Sequence, residues 1–171
     1  MKLSIREAIP TDAEVIAKVL VETWQDAYLG LIPDDYLANL SISERTKVWK
    51  KNLTKKEDNT LTLIGCVENK VLAWASFGHS RDDDSDNKRG ELWGIYVHPT
   101  AQGKKLGSML MFEGIAFLKK KGYSSATLWV LTTNKKTRKY YEAKGWKIEG
   151  KVKIAPRKGF ELHETRYVID L

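Results

Sequence analysis

Between Glu91 and Leu110 the chain reads E-L-W-G-I-Y-V-H-P-T-A-Q-G-K-K-L-G-S-M-L, an apolar strand leading through a Pro/Gly-bearing turn into the start of a helix. Gln102, Gly103, Lys104, Lys105 and Gly107 cluster at the junction, with Leu106 and Ser108 in the first helical turn. A helix start leaves backbone N–H groups unpaired and carries the positive end of the aligned peptide dipoles, so the chemistry on offer is anion binding, of phosphate above all. Gly103 and Gly107 keep the backbone bare enough for close approach. Other reactive side chains are sparse. His98 abuts the turn and reads as structural, His163 has no partners around it, and no His/Cys/Asp spacing suits a metal, so none is expected. The one cysteine, Cys66, excludes an internal disulfide framework and agrees with a reducing compartment.

Charge distribution supports the anion reading. Residues 1–40 carry seven acids and three bases, a net of −4, whereas residues 99–158 carry fifteen bases and three acids, a net of +12. The basic segment contains the turn, as suits a nucleotide, a coenzyme or a nucleic acid. At 171 residues and 42% apolar content, a single domain over 1–171 with a sizeable core is expected. No apolar run is long enough to span a membrane and the start is too polar for a signal peptide, so a cytoplasmic protein without a membrane partner is expected.

The elements that must hold the turn follow from periodicity. A short strand at 3–7 ends at Pro10, and Thr11-Asp12-Ala13-Glu14 reads as a capping box opening a helix over about 11–28. Asp34 to Leu37 suggests a helical turn, and a second box, Ser41 to Glu44, opens a helix to about Leu53. Residues 60–67 and 71–78 read as a hairpin, and 80–89, polar throughout, as a mobile loop. The strand 91–97 is followed by a helix with Leu106, Leu110, Gly114 and Phe117 on one face, ended by Gly122, and then by the apolar strand 126–131. Strand, helix, strand in that order implies a right-handed crossover and a parallel pair. A helix from about Lys135 to Lys144, capped by Asn134, and terminal strands at 146–154 and 162–171 complete the chain.

With Val97-His98-Pro99 before Gln102-Gly103-Lys104-Lys105-Leu106-Gly107, the sequence resembles the GNAT superfamily of acyl-CoA-dependent N-acyltransferases, whose pyrophosphate motif is Q/R-x-x-G-x-G/A after a strand ending near V-x-P. Residues 134–146, N-K-K-T-R-K-Y-Y-E-A-K-G-W, resemble the same family's N-x-x-A-x-x-F-Y-x-x-x-G-F segment, and the order of elements also agrees over 1–171. Lys105 stands where the family usually has a glycine, Thr137 where it has alanine, and Trp146 where it has phenylalanine. A well-formed turn despite Lys105 would favour catalysis; a distorted one, coenzyme binding alone.

The resemblance implies an α/β GNAT fold, a mixed central β-sheet with a splayed parallel strand pair flanked by helices, and acetyl-CoA as acyl donor. It implies that backbone groups of Ile95, Tyr96 and Val97 meet the pantetheine arm, with the Val97 N–H aimed at the thioester carbonyl. Gln102, Gly103, Lys104, Lys105, Leu106, Gly107 and Ser108 would hold the pyrophosphate. Asn134 would contact the pantetheine, cap its helix, or do both. Tyr141, with a phenol pKa of about 10, is the candidate acid for a thiolate leaving group whose thiol has a pKa of about 8.5. An amine acceptor must be deprotonated, for which Glu91 and His79 are candidates. Cys66 reads as core, which favours direct transfer in a ternary complex over a covalent enzyme intermediate. Trp24, Tyr28 and Tyr36 would wall the acceptor pocket, with His79 beside it. Glu22, Asp26, Asp34, Asp35 and the 82–86 loop would add negative charge for a cationic small-molecule or protein amine.

Two other classes fit less well. A nicotinamide oxidoreductase would need G-x-G-x-x-G and an acid after the second strand, where Leu131-Thr132-Thr133 stands instead. A nucleic-acid-binding module would carry a recognition motif beside its lysines, and none is found, so no nucleic-acid partner is expected. A monomer or a homodimer is compatible with the sequence.

Overall fold

The computed structural model describes residues 1–171. Its elements run β1 (Leu3–Glu7), α1 (Ala13–Ala27), α2 (Asp34–Ala38), α3 (Ile42–Thr54), β2 (Leu61–Val67), β3 (Lys70–His79), β4 (Arg89–Val97), α4 (Leu106–Lys120), β5 (Ser125–Leu131), α5 (Lys135–Ala143), β6 (Lys147–Arg157) and β7 (Phe160–Asp170). The strands form one seven-stranded sheet in the order β1-β2-β3-β4-β5-β7-β6. Every adjacent pair is antiparallel except β4 and β5, which the α4 crossover makes parallel, as the strand-helix-strand order implies.

One face of the sheet packs on α4 and α5. Ala73, Ala75, Phe77, Leu92, Leu128 and Val130 meet Leu106, Leu110, Met111, Leu118 and Tyr141 there, all of them buried. Gly114 admits the Phe77 ring, because a Cβ at that position would overlap it. The opposite face is covered at one end by α1 and α3, through Ile16, Val19, Ile64, Cys66 and Trp74. At its other end the α1–α2 connection packs Ile32 and Leu37 on Leu131 and Leu162. The N-terminal faces of α1 and α3 differ in how they begin. Ser41 accepts from the Glu44 N–H at 3.1 Å, as its capping box predicts. The expected box at Thr11 does not form: Pro10–Asp12 is a 3-10 turn, and Asp12 instead reaches back to the Ile9 N–H at 2.8 Å while pairing with Arg6.

Residues 80–88 overturn the expectation of a mobile loop. Arg166, on β7 and 1% exposed, donates to Asp82 at 3.1 Å and to Asp84 at 2.7 and 2.9 Å. It also pairs with Glu149, while Lys151 pairs with Asp84 and the Trp129 indole donates to Asp82 at 3.0 Å. The loop is thus fastened over β5, β6 and β7 by a charge cluster whose members lie up to 84 residues apart in sequence.

Candidate active site

The β4–β5 ladder is short. Only Arg89↔Ser125, Gly90↔Ala126 and Glu91↔Thr127 pair, after which the strands part and the β5 side of β4 runs free to Val97. On the other side β4 stays paired with β3, with a bulge between the Ser76↔Gly94 and Phe77↔Leu92 positions. The His98 N–H donates to the Leu72 carbonyl at 2.8 Å, so by the alternation of an antiparallel ladder Tyr96 and Gly94 also turn their backbone groups toward β3. Ile95 and Val97 turn theirs into the gap. The expected edge for an extended ligand is therefore present at Ile95 and Val97 but not at Tyr96, whose backbone is committed to Trp74.

The phosphate turn lies at the open end of that gap. Gly103 and Lys105 have φ of 77° and 69°, and Lys105 is the N-cap of α4. Lys105 thus takes the left-handed conformation that glycine would supply, and the turn is regular despite its side chain. The first N–H of the helix to find an acceptor is that of Met109, on the Lys105 carbonyl at 3.0 Å. The N–H groups of Gly103, Lys105, Leu106, Gly107 and Ser108 make no hydrogen bond within the protein, a concentration of donors suited to a diphosphate. Gly107 sits in a tight space: a Cβ there would lie 3.2 Å from the Tyr140 hydroxyl and 3.4 Å from Val97 Cγ2, so those side chains would have to give by a few tenths of an ångström. Gln102 accepts from Lys136 at 3.5 Å, joining the turn to α5. Left-handed backbone at Lys105 predicts that Lys105→Gly is tolerated, while the β-branched Lys105→Val loses about 1–2 kcal/mol, read as a lowered melting temperature.

Asn134 caps α5, its Oδ1 accepting from the Thr137 N–H at 3.1 Å, which leaves its amide NH2 as a donor. Two turns on, Tyr141 packs its ring against Trp146 and Tyr167 and is 6% exposed. Its hydroxyl makes no hydrogen bond within the protein and, unlike the Tyr140 hydroxyl, is not sealed from solvent. Tyr141 therefore has a buried ring and an accessible O–H. Burial holds that hydroxyl far above the ordinary phenol value, with Tyr96 and Tyr140 adding to the effect.

Across the gap, on the sheet face opposite α5, Trp24 and Tyr28 meet edge to face at 4.8 Å, and Tyr36 meets Phe160 at 4.9 Å. All four line the small core around Leu131 and Leu162. On the same face the Tyr96 ring lies tilted against Trp74, with centroids 4.9 Å apart. Burial, and then Tyr96, Tyr141 and Glu164, hold the Tyr28 hydroxyl well above the ordinary phenol value.

Two candidate bases stand elsewhere. Glu91 is 2% exposed, and its two oxygens accept from the Arg81 backbone N–H at 2.8 Å and guanidinium at 2.6 Å. Arg81 must move off before that carboxylate meets an amine. His79 is exposed at the opposite end of β4, beside Gly90, roughly 20 Å of strand from the position of Val97, so it does not border the acceptor pocket. The acidic loop also fails as an acceptor surface, since Asp82 and Asp84 are neutralised by Arg166 and Lys151. Glu22 pairs with His98 at 3.0 Å, and His98 in turn holds Thr100 at the turn. Glu164, which no sequence signal marked, is the acid beside the aromatic wall; only the alternation of β7 hinted that it shares a face with Arg166.

Known proteins show the same design. Residues 19–146 match the acetyltransferase (GNAT) family. The chain is 33% identical over 132 residues to the uncharacterized N-acetyltransferase YuaI of Bacillus subtilis, covering 77% of this chain and 73% of that one. It is 26% identical over 160 residues to a spermidine N(1)-acetyltransferase of Thermoplasma acidophilum, covering 87% and 91%. Its fold superimposes on the PaiA N-acetyltransferase of that organism in complex with coenzyme A with a TM-score of 0.76, at 19% identity and full coverage of both chains. The acetyltransferase yncA of Salmonella typhimurium, solved with acetyl-CoA, gives 0.70 at 21% identity over 98% of this chain and 93% of that one. A splayed parallel pair, an open donor-rich turn and a sequence match across most of the chain lead to one conclusion: the protein belongs to the GNAT family of acetyltransferases.

Proposed function

We propose that residues 1–171 act as one domain that moves the acetyl group of acetyl-CoA directly onto an amine of a cationic acceptor. The observation that carries this reading is the Tyr141 hydroxyl, unpaired and accessible at the edge of a gap whose one wall is bare backbone and whose other wall is aromatic. Acetyl-CoA supplies an activated thioester. Gly103, Lys105, Leu106, Gly107 and Ser108 offer N–H groups to its diphosphate, with Gln102 and Lys104 at the rim. Ile95, Val97 and the Asn134 amide bind the pantetheine arm, a role supported by the unpaired β5 side of β4 and the free Asn134 NH2.

Of the two free edges, the Val97 N–H donates to the thioester oxygen as negative charge develops there, a contribution that grows in a site closed to water. As the amine nitrogen bonds to the carbonyl carbon and the C–S bond breaks, the Tyr141 O–H gives its proton to the departing sulfur. The nitrogen, cationic once it has bonded to the carbonyl carbon, gives its proton to the Tyr141 phenolate, directly or through water, which restores the O–H and leaves a neutral amide and free thiol. Burial helps Tyr141 in that role by keeping it protonated throughout the neutral range.

Cationic preference rests on Glu164, paired in register with Leu131 of the core on which Trp24, Tyr28 and Tyr36 pack, and is supported by the relative named as a spermidine N(1)-acetyltransferase. The test is release of free coenzyme A thiol from acetyl-CoA with a panel of amines. Di- and polyamines are expected to exceed neutral and anionic amines by about tenfold or more in kcat/KM, the scale of one charge-assisted contact. Faster turnover of anionic amines would refute the preference. Coenzyme A binding without thiol release on any amine would favour a non-catalytic GNAT domain.

A further inference from the structure

On the acceptor face, strand register places Leu131 of β5, Glu164 of β7 and Lys153 of β6 in one row. Lys153 Nζ lies 3.4 Å from Glu164 Oε2 and 4.5 Å from the centroid of the Trp129 ring. A primary alkylammonium is therefore already seated between a carboxylate and an aromatic face, the two contacts that best recognise such a group. The row begins at the catalytic gap. Continuing the register Glu91↔Thr127 four residues along both strands brings Leu131 level with Ile95, and Glu164 lies one strand beyond it, roughly 5–10 Å from the gap.

Trp129 is fixed in place. Its indole N–H donates to both oxygens of Asp82, at 3.0 and 3.2 Å, and the Arg166 guanidinium lies 5.5 Å from its ring. Lys153 is not fixed. Its side chain is 45% exposed, it projects from the edge strand, and a partly exposed ion pair of this kind is weak. A rigid aromatic and a carboxylate, covered by a mobile ammonium of the chain itself, make a preformed subsite with a displaceable occupant.

We propose that Lys153 is a tethered stand-in for the acceptor: its ammonium occupies the Glu164–Trp129 subsite that takes the second ammonium of a diamine or polyamine whose first amine reacts in the gap. This rests on the acetyl-transfer reading above. Monoamines react without disturbing Lys153, whereas diamines must displace it. Between substrates, Lys153 neutralises Glu164 and covers Trp129, which keeps unrelated cations out.

The experiment compares KM for diaminobutane and butylamine in wild type, Lys153→Met and Glu164→Gln. Removing the competitor in Lys153→Met is expected to lower the diaminobutane KM roughly three- to tenfold relative to that for butylamine, and Glu164→Gln to raise it by a similar factor. An unchanged ratio of the two KM values in Lys153→Met, or a raised diaminobutane KM, overturns the proposal. If no amine is acetylated, the transfer reading fails instead, and calorimetric binding of diaminobutane to the coenzyme A complex decides the subsite. Tighter binding by Lys153→Met supports it, and equal or weaker binding rejects it.

Discussion

Tyr141→Phe is expected to lower kcat by roughly a hundredfold or more, the scale of a lost general acid, with little change in affinity for coenzyme A. The substitution removes one oxygen from a ring already packed against Trp146 and Tyr167, so the fold keeps its shape. No protein hydrogen bond is lost, because the hydroxyl makes none. Whatever rate disappears is then chargeable to chemistry in the gap. The pH profile adds a second criterion. Tyr141 is held above the ordinary phenol value, so wild-type turnover should rise with pH as the acceptor amine loses its proton, without a falling limb from Tyr141 below pH about 10. Full turnover of Tyr141→Phe across pH about 7–9 would remove Tyr141 from the mechanism.

Arg166→Met should cost about 1–3 kcal/mol of stability, because Asp82 loses its ion-pair partner while Asp84 and Glu149 keep only Lys151 and Arg89. Arg166 is 1% exposed and binds Asp82, Asp84 and Glu149 together. Its guanidinium, followed by Lys151, holds the Asp84 carboxyl far below its ordinary value. For an acid lowered in this way, the added stability is present above the unfolded value near pH 4 and is lost only as pH falls through the lowered folded value. Wild type should therefore resist acid well below that point, and Arg166→Met should unfold at a higher pH as Asp84 returns toward normal. Acid titration followed by circular dichroism measures both effects. Coincident acid midpoints for the two proteins would show that the cluster contributes nothing.

What could be read beforehand was local. Alternating and helical periods located the strands and helices, and Gly103 to Gly107 marked the anion turn, because these signals depend on near neighbours in sequence. What could not be read depends on partners far apart. Asp82 and Asp84 look like solvated loop residues until β7 brings Arg166 beneath them. Glu91 looks like a free carboxylate until Arg81 folds back over it. Tyr96 was grouped with its neighbours, yet which residues face the gap is set by one hydrogen bond, from His98 to Leu72, and by the phase it imposes. Glu164 and Lys153 offer only the alternation of their strands, since their pairing follows from a β6–β7 register that shifts between Ile148 and Val152.

The three-pair ladder between β4 and β5 makes the molecule a book with a short spine. One leaf is β1 to β4 with α1, α3 and α4; the other is β5 to β7 with α5. Beside the spine the leaves are tied together by Arg166 gripping Asp82 and Asp84 from the opposite leaf. Slot width is therefore set by an apolar core that both leaves share and by one buried guanidinium, and salt, which screens exposed charges far more than buried ones, should leave it unchanged.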